Sequence, residues 1–514
     1  MPIGFVSGDG LAHSATFTRG TWTWNPNHLL LEPVGSWWQA VTAGLGSARP
    51  APDRLKWLSI VCGAAALGIF RWRVAGPLAP GRLEANLATA WVALGSAFSR
   101  LWISDEIHML QMPFLAGVAA LVVAYVARPS WMLAVFAGLV GGAAALAYIS
   151  NILIPLAIAG VIGMRYALRR EVRRVVQIAA GLGLGAVLTA LAGLIAAWAV
   201  VGPSEVGPVS WITSYGGDAS PGLLAAGYGA DLSVRAITVS TARAVYGSLS
   251  SIVDLAPVVE AIRDGRTLTP ASLAPLAFCL AGVLVLVLAL RDSLVAPDPD
   301  APGTRGIAPL LAAGIGIAVF TFAVYWNNSD DQFYFQLGIA MGALLTGIRL
   351  RGRRLAAILA LVLLTLGWNA LDMVKNRVLY PRAERVALLE HALAGADLVI
   401  YPGYDEVDQL LFFVDGPDRT RRLSVTSLAD RYPAPEGLDT LAARIRQALE
   451  GGGRVDIVSI YDVPPKQNPW KALAAAGYGP DRVIAALAAF PVEPSSRSVG
   501  TFTIRSIAAR SPRR

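Results

Sequence analysis

Residues 131–170 read WMLAVFAGLVGGAAALAYISNILIPLAIAGVIGMRYALRR. The run is too long and too apolar for one soluble core helix, and Tyr148, Ser150 and Asn151 mark its only polar break. Crossing about 30 Å of hydrocarbon takes about 20 apolar residues. The stretch therefore divides into two spans, near 131–148 and 150–166, and ends on arginines. Working outward, further candidate spans lie near 55–72, 85–103, 109–127 and 175–201, then near 270–290, 306–326, 333–349 and 354–373. The reading is an α-helical polytopic membrane protein of about ten spans.

Charge follows the same division. Arg71, Arg73 and Arg82 follow the first span, Arg128 the third, and Arg165, Arg169, Arg170, Arg173 and Arg174 the fifth. Arg291 follows the seventh and Arg349, Arg351, Arg353 and Arg354 the ninth, so every second connection is basic. The alternate connections are acidic or neutral: Asp105-Glu106, Ser150-Asn151 and Asn327 to Asp331. Cytoplasmic loops carry the excess of Lys and Arg. The expectation is a multi-pass protein of the cytoplasmic (inner) membrane, with the N-terminus, the 202–268 loop and the C-terminal domain on the periplasmic side.

Composition agrees. Of 514 residues, 55% are hydrophobic and 15% charged, against about 25% charged in a soluble chain, and mean hydropathy is +0.53. The net charge of +8 comes from short basic runs between apolar segments, which speaks against nucleic acid as a partner and for membrane lipid. Cys62 and Cys279 sit in apolar stretches as small hydrophobes, leaving the soluble parts without a disulfide. Met1 to Gly10 has neither the basic run nor the apolar core of a cleavable signal.

Three parts follow. Residues 1–54 form a first outer segment with short interfacial helices. Residues 55–375 form the transmembrane domain, with an outer loop at 202–268 whose amphipathic 234–258 stretch suits the interface. From 376 to 514 the pattern changes to that of a soluble α/β domain, with strands at 396–401, 454–461 and 501–507 and a helix at 438–449. Asp405, Glu406 and Asp408 read as a solvated acidic loop within it.

The first forty residues carry the chemistry. They include Ser7-Gly8-Asp9-Gly10-Leu11-Ala12-His13, Arg19-Gly20 and Asn25-Pro26-Asn27-His28-Leu29-Leu30-Leu31-Glu32-Pro33, with Trp22, Trp24, Trp37 and Trp38 suited to a membrane–water boundary. An acid opens a short helix, a turn follows, and a Pro-containing segment leads to a span. This resembles the first outer loop of the GT-C class of integral-membrane glycosyltransferases, which includes protein mannosyltransferases and aminoarabinose transferases. The resemblance extends to the layout of spans, long outer loop and C-terminal domain. Trp211 to Gly216 and Tyr325 to Asn328 are similar to outer-loop segments of such enzymes.

The resemblance implies a polyprenyl-phosphate-linked sugar as donor, and a glycan, lipid or protein as acceptor. It places Asp9 where the class has its catalytic base or acceptor-positioning acid, and Asp105 and Glu106 where a second acidic site follows. Class members carry a span ahead of this loop, so an additional helix upstream of Met1 is expected. A transferred sugar needs a carboxylate to take the acceptor proton and cations or donors for the departing phosphate. Asp9 and Glu106 are the catalytic candidates. His13, His28, Glu32, Asp105, Arg235, Arg243 and Lys375 are the substrate-binding ones.

Each has a plainer reading. Asp9 suits a helix N-cap, and His13, four residues on, shares its helix face as an interfacial residue. His28 and Glu32 form another such pair. Asp105 and Glu106 end a span in water, Arg235 and Arg243 make a headgroup-facing stripe, and Asp330 and Asp331 solvate a turn. Asp105-Glu106 is not a DxD motif, so a divalent metal is possible but not indicated. The competing functions are a transporter or flippase, an O-antigen ligase or polymerase, and a non-catalytic lipid-binding relative of the class. Transporters repeat their halves and carry ionisable groups at mid-membrane depth. Here no paired halves are visible and the polar groups gather at the span ends.

Overall fold

The computed structural model describes residues 14, 17, 28–47, 49–105, 107–201, 207, 211, 233–263, 265, 267, 269–295, 305–326, 335–350, 352–375, 381–403, 406–415, 421–461, 470–494, 496–499 and 502–508. The chain divides into two compact units, the first spanning 22–217 and 230–378 and the second including 379–514.

Among the described residues the regular structure of the first unit is all helical. In lipid every backbone amide and carbonyl must be satisfied within its own segment, which leaves the apolar runs no alternative but helix. Among the described residues six helices are long and apolar enough to cross a membrane: Ala51–Leu78, His108–Ala127, Ile149–Leu168, Val172–Val200, Ser272–Leu294 and Leu355–Met373. Trp131–Ala147 and Ala308–Val324 are apolar but shorter. The sequence expectation of about ten exceeds these six for a local reason. The run near 85–103 is interrupted at Gly95, which turns out of the helix at ψ 140° between Arg82–Leu94 and Ser96–Trp102. A Cβ there would lie 3.1 Å from the Trp91 carbonyl. The break frees the Leu94 carbonyl, and Asn369 Nδ2 donates to it at 2.9 Å while also donating to Ile252 O at 2.7 Å. The run near 333–349 yields a helix of nine residues, Leu337–Leu345.

Polar ties hold the arginine-bearing connections to one another. Tyr125 Oη donates to Gln177 Oε1 at 2.9 Å, Arg71 Nε donates to Asn86 Oδ1 at 2.7 Å, and the Arg349 amide donates to Asp292 Oδ2 at 3.0 Å. Arg174 pairs with Glu171 at 2.6 Å. Cys62 and Cys279 are buried free thiols.

The second unit is a five-stranded mixed sheet in the order β2-β1-β3-β5-β4. Its strands are β1 (Leu398–Tyr401), β2 (Arg422–Ser424), β3 (Arg454–Val458), β4 (Arg497–Val499) and β5 (Phe502–Ala508). Strand β1 runs parallel to β2 and β3, and β5 antiparallel to β3 and β4. Alternation assigns the faces. Leu398, Ile400, Val455, Ile457 and Ile507 pack with Leu441 and Ile445 of the helix Ala434–Glu450. Val399, Tyr401, Val458, Phe502 and Ile504 pack with Leu389 and Leu411. Asp456 is fully buried, held by Ser506 Oγ at 2.7 Å and Arg454 at 2.9 Å, because a buried carboxylate persists only with donors around it. The acidic stretch at 405–408 differs from expectation in its backbone: the helix Glu406–Asp415 begins there instead of a loop. Asp405 lies outside the described residues.

Tyr478 yields a pH prediction. Its hydroxyl donates to Tyr432 O at 3.0 Å, over Gly437, where a Cβ would collide with it. Burial, and secondarily Glu436, pushes the phenol from 10.0 to about 12. Folding thus favours the neutral form, so the contribution is complete below pH 10 and is lost as pH rises through about 12. Thermal unfolding of this unit should lose stability more steeply over that window in the wild type than in Tyr478→Phe. Parallel curves would contradict the assignment.

Candidate functional site

Opposite the arginine-bearing connections, the turns that join the apolar helices bring polar side chains together in a buried cluster. The segment entering it is His28 to Leu30, followed by α1 (Leu31–Gly44). The Leu30 amide donates to Leu146 O at 3.0 Å, and Leu29 packs with Leu194 and Trp211. Three bonds pin α1 to the start of α2 (Ala51–Ile69): Trp38 Nε1 to Arg54 O at 2.7 Å, Gln39 Nε2 to Ala51 O at 2.8 Å and Arg54 Nη1 to Gln39 O at 3.2 Å. Amphipathic α1 keeps Trp37 exposed while it buries Glu32 in its first turn.

His28 is held between two aromatic groups. Its ring centroid lies 5.7 Å from His108, edge-on, and 4.7 Å from Tyr148; His108 and Tyr148 are 5.7 Å apart. His108 belongs to the short turn Ile107–Gln111, and Tyr148 ends the helix Trp131–Ala147. Two imidazoles and a phenol thus converge from three separate segments. Asp105, at the start of the same connection as His108, is fully buried with Ser104 beside it.

An amide knot lies alongside. Asn151 Nδ2 donates to Gln111 Oε1 at 2.5 Å and to Ala144 O at 2.9 Å. Gln336 Nε2 reaches Gln111 Oε1 at 3.4 Å and Asn151 Oδ1 at 3.5 Å. All three side chains are buried. A buried amide costs free energy unless bonded, so the knot fixes one register for the turns at 107–111, 149–152 and 335–336. Asn151→Leu would remove the short donor to Gln111 Oε1 and the Gln336 contact to Asn151 Oδ1, leaving only the 3.4 Å Gln336–Gln111 contact, at about 1–3 kcal/mol. It should lower the thermal midpoint of the detergent-solubilised protein and disorder the His28–His108–Tyr148 packing. An unchanged midpoint would show the knot to be dispensable.

The cations divide by burial. Lys56, in the second turn of α2, is 2% exposed and pairs with Asp53 at 3.2 Å. Arg243 is half-buried and Arg235 exposed, both on the helix Val234–Ser250; Lys375 is exposed at the end of its helix.

Of the residues singled out from sequence, the structure brings His28 into the aromatic cluster and buries Glu32 and Asp105. The reading of Asp105 as a span end in water is thereby corrected: the connection at 103–111 folds back into the bundle instead of projecting from it. Asp9, His13 and Glu106 lie outside the described residues, as do Asn327 to Asp331. Sequence reasoning missed His108, Gln111, Gln336 and Lys56 and took Tyr148 and Asn151 only as a break. The available signal was that all but Lys56 are polar residues at turns between apolar runs, on the end without arginines. Among the described residues no group of three or more His, Cys, Asp or Glu side chains is placed to hold a metal ion.

No family model and no curated protein matches the chain. Among solved structures, that of ArnT from Cupriavidus metallidurans in the apo state is similar at a TM-score of 0.43 and 13% identity, over 99% of this chain and 94% of that chain.

Proposed function

We propose that the protein is a membrane glycosyltransferase that moves a sugar from a polyprenyl-phosphate donor to an acceptor at the periplasmic face. The observation that carries this is the buried polar cluster of His28, Asp105, His108, Gln111, Tyr148 and Asn151 at one end of an otherwise apolar helical unit. A chain that only conducted a solute would place such groups along its path at mid-membrane depth. Under this reading the segments near 82–102, 131–147, 308–326 and 335–350 cross as well, giving about ten passes, and the arginine connections face the cytoplasm.

The chemistry this reading requires is simple. Asp9 takes the proton of the acceptor hydroxyl, whose oxygen bonds to the anomeric carbon as the bond from that carbon to the phosphate oxygen breaks. The electron pair leaves with the polyprenyl phosphate. Glu106, adjacent to buried Asp105, is the second acid. Arg243 and the more exposed Arg235 and Lys375 are the cations available to a phosphate. His13, His28 and Glu32 are the further substrate-binding candidates.

The test is turnover of a panel of radiolabelled polyprenyl-phosphate sugars by purified protein in lipid nanodiscs. Release of polyprenyl phosphate with one donor is the expected result. Saturable donor binding with no turnover of any donor, whatever acceptor is supplied, would leave a lipid-binding protein in place of an enzyme.

A further inference from the structure

At the arginine-bearing end, a cavity of about 790 Å³ opens among the helices Ile149–Leu168, Ser272–Leu294 and Ala308–Trp326. Its wall is almost wholly apolar: Ala157, Val161, Met164, Leu168, Leu294 and Ile317 among others. Three polar residues line it, Arg165, Arg169 and Ser293. Ile149–Leu168 and Ala308–Trp326 touch closely at Gly314, where a Cβ would lie 2.9 Å from Ile158 Cα. Gly160, on the cavity wall, leaves it open: a Cβ there would meet nothing within 4 Å.

Met164, Leu168, Leu294 and Ile317 are exposed on this wall. Arg165 and Arg169 stand four residues apart and so share one helix face. Arg165 is half-buried, beside Gly306, and its Nη1 is buried with no hydrogen-bond partner among the described residues. The nearby acids are engaged elsewhere: Glu171 with Arg174 at 2.6 Å, and Asp292 with the Arg349 amide at 3.0 Å. An apolar trough ending at two guanidiniums, one with an unmet donor, matches a ligand with a hydrocarbon tail and an anionic phosphate head.

We propose that this trough is a binding site for an anionic phospholipid, with an acyl chain along Ala157, Val161 and Ile317 and the phosphate against Arg165 and Arg169. The site is separate from the polar cluster at the other end and does not depend on the function assigned to that cluster. Because Arg165 carries a buried donor with no partner among the described residues, a phosphate oxygen satisfies it.

Native mass spectrometry of the full chain in detergent, titrated with palmitoyl-oleoyl phosphatidylglycerol or the matching phosphatidylcholine, tests this. One phosphatidylglycerol should be retained in preference to phosphatidylcholine. The preference should fall roughly fivefold for each of Arg165→Gln and Arg169→Gln and stay unchanged in Arg128→Gln. Gly160→Phe, whose Cβ meets nothing within 4 Å and whose ring projects into the trough, should lower retention of both lipids while leaving the thermal midpoint in place. Equal retention of the two lipids by the wild type, or a preference that survives the double arginine variant, would overturn the proposal. So would a several-fold gain in retention on Asp298→Asn with Asp300→Asn, since that would make the chain's own acidic segment the occupant.

Discussion

Asp9→Asn is expected to lower donor turnover by about 10²- to 10⁴-fold, the range over which a positioned general base contributes. The amide keeps the shape of the carboxylate but replaces one acceptor oxygen with a donor and cannot take a proton from the acceptor hydroxyl. Donor affinity should change little, because the lipid tail and phosphate are bound by other groups. The loss therefore falls on kcat and not on KM, the pattern of an interaction made in the transition state. Radiolabelled polyprenyl-phosphate sugar in nanodiscs gives turnover, and its equilibrium binding gives affinity. If turnover survives with Asp9→Asn and collapses with Glu106→Gln, the transferase reading stands and the base is Glu106. Asp105→Asn behaves differently under the same reading. Its carboxyl is fully buried, so the substitution should lower the thermal midpoint together with activity, whereas Asp9→Asn should leave the midpoint in place.

Membrane class was legible from sequence because hydrophobic run length reports it directly: 131–170 cannot be accommodated by a soluble fold of this size. The strands at 398–401, 454–458 and 502–508 were legible for a similar reason, since each is a short apolar run between breakers. Strands β2 and β4, of three residues each, were not. They are set by pairing with β1 and β5 and not by their own pattern. The break at Gly95 is of the same kind. A glycine in an apolar run is ambiguous, and what fixes the turn is Asn369, 274 positions away, donating to the adjacent Leu94 carbonyl.

The candidate site was half legible. Acids and histidines of the first segment stand out in an apolar chain, but Gln111, Asn151 and Gln336 are unremarkable singly and gain meaning only when three turns meet. Hydropathy says which residues reach the interface; it does not say which of them share a contact there. Lys56 was passed over for another reason. Near the start of a span it reads as an interfacial anchor, and only the packing of α1 and the turn at 107–111 against α2 shows that it is buried beside Asp53.

Gly138→Leu is expected to prevent the first unit from folding, and Gly138→Ala to destabilise it by about 3 kcal/mol. The helix Trp131–Ala147 lies against the continuous stretch 177–201 along a seam of small residues, Gly138 and Gly142 on one side and Gly181 and Gly185 on the other. Each pair is spaced four apart, the pattern that lets two membrane helices bring their backbones together. A Cβ on Gly138 would run into the Gly181 carbonyl oxygen and lie 3.1 Å from Gly185 Cα. One on Gly181 would lie 2.6 Å from Ala134 Cβ and 2.9 Å from the Ala134 carbonyl carbon. Both obstacles are backbone or directly attached to it, so no rotamer relieves them and the helices must separate. Gly160 and Gly163, in the neighbouring helix, meet nothing within 4 Å. Their alanine variants should be neutral or stabilising, by up to about 1 kcal/mol of helix propensity. The seam also bears on the site. It sets the height at which Tyr148 leaves the helix to meet His28 and Asn151 turns to meet Gln111. Thermal midpoints of the four alanine variants, Gly138, Gly181, Gly160 and Gly163, separate packing from propensity. Loss confined to the first two confirms close backbone approach as the stabilising contact. Equal loss at all four would mean that glycine is required here for flexibility instead, and would remove the seam as the element that aligns Tyr148 with His28.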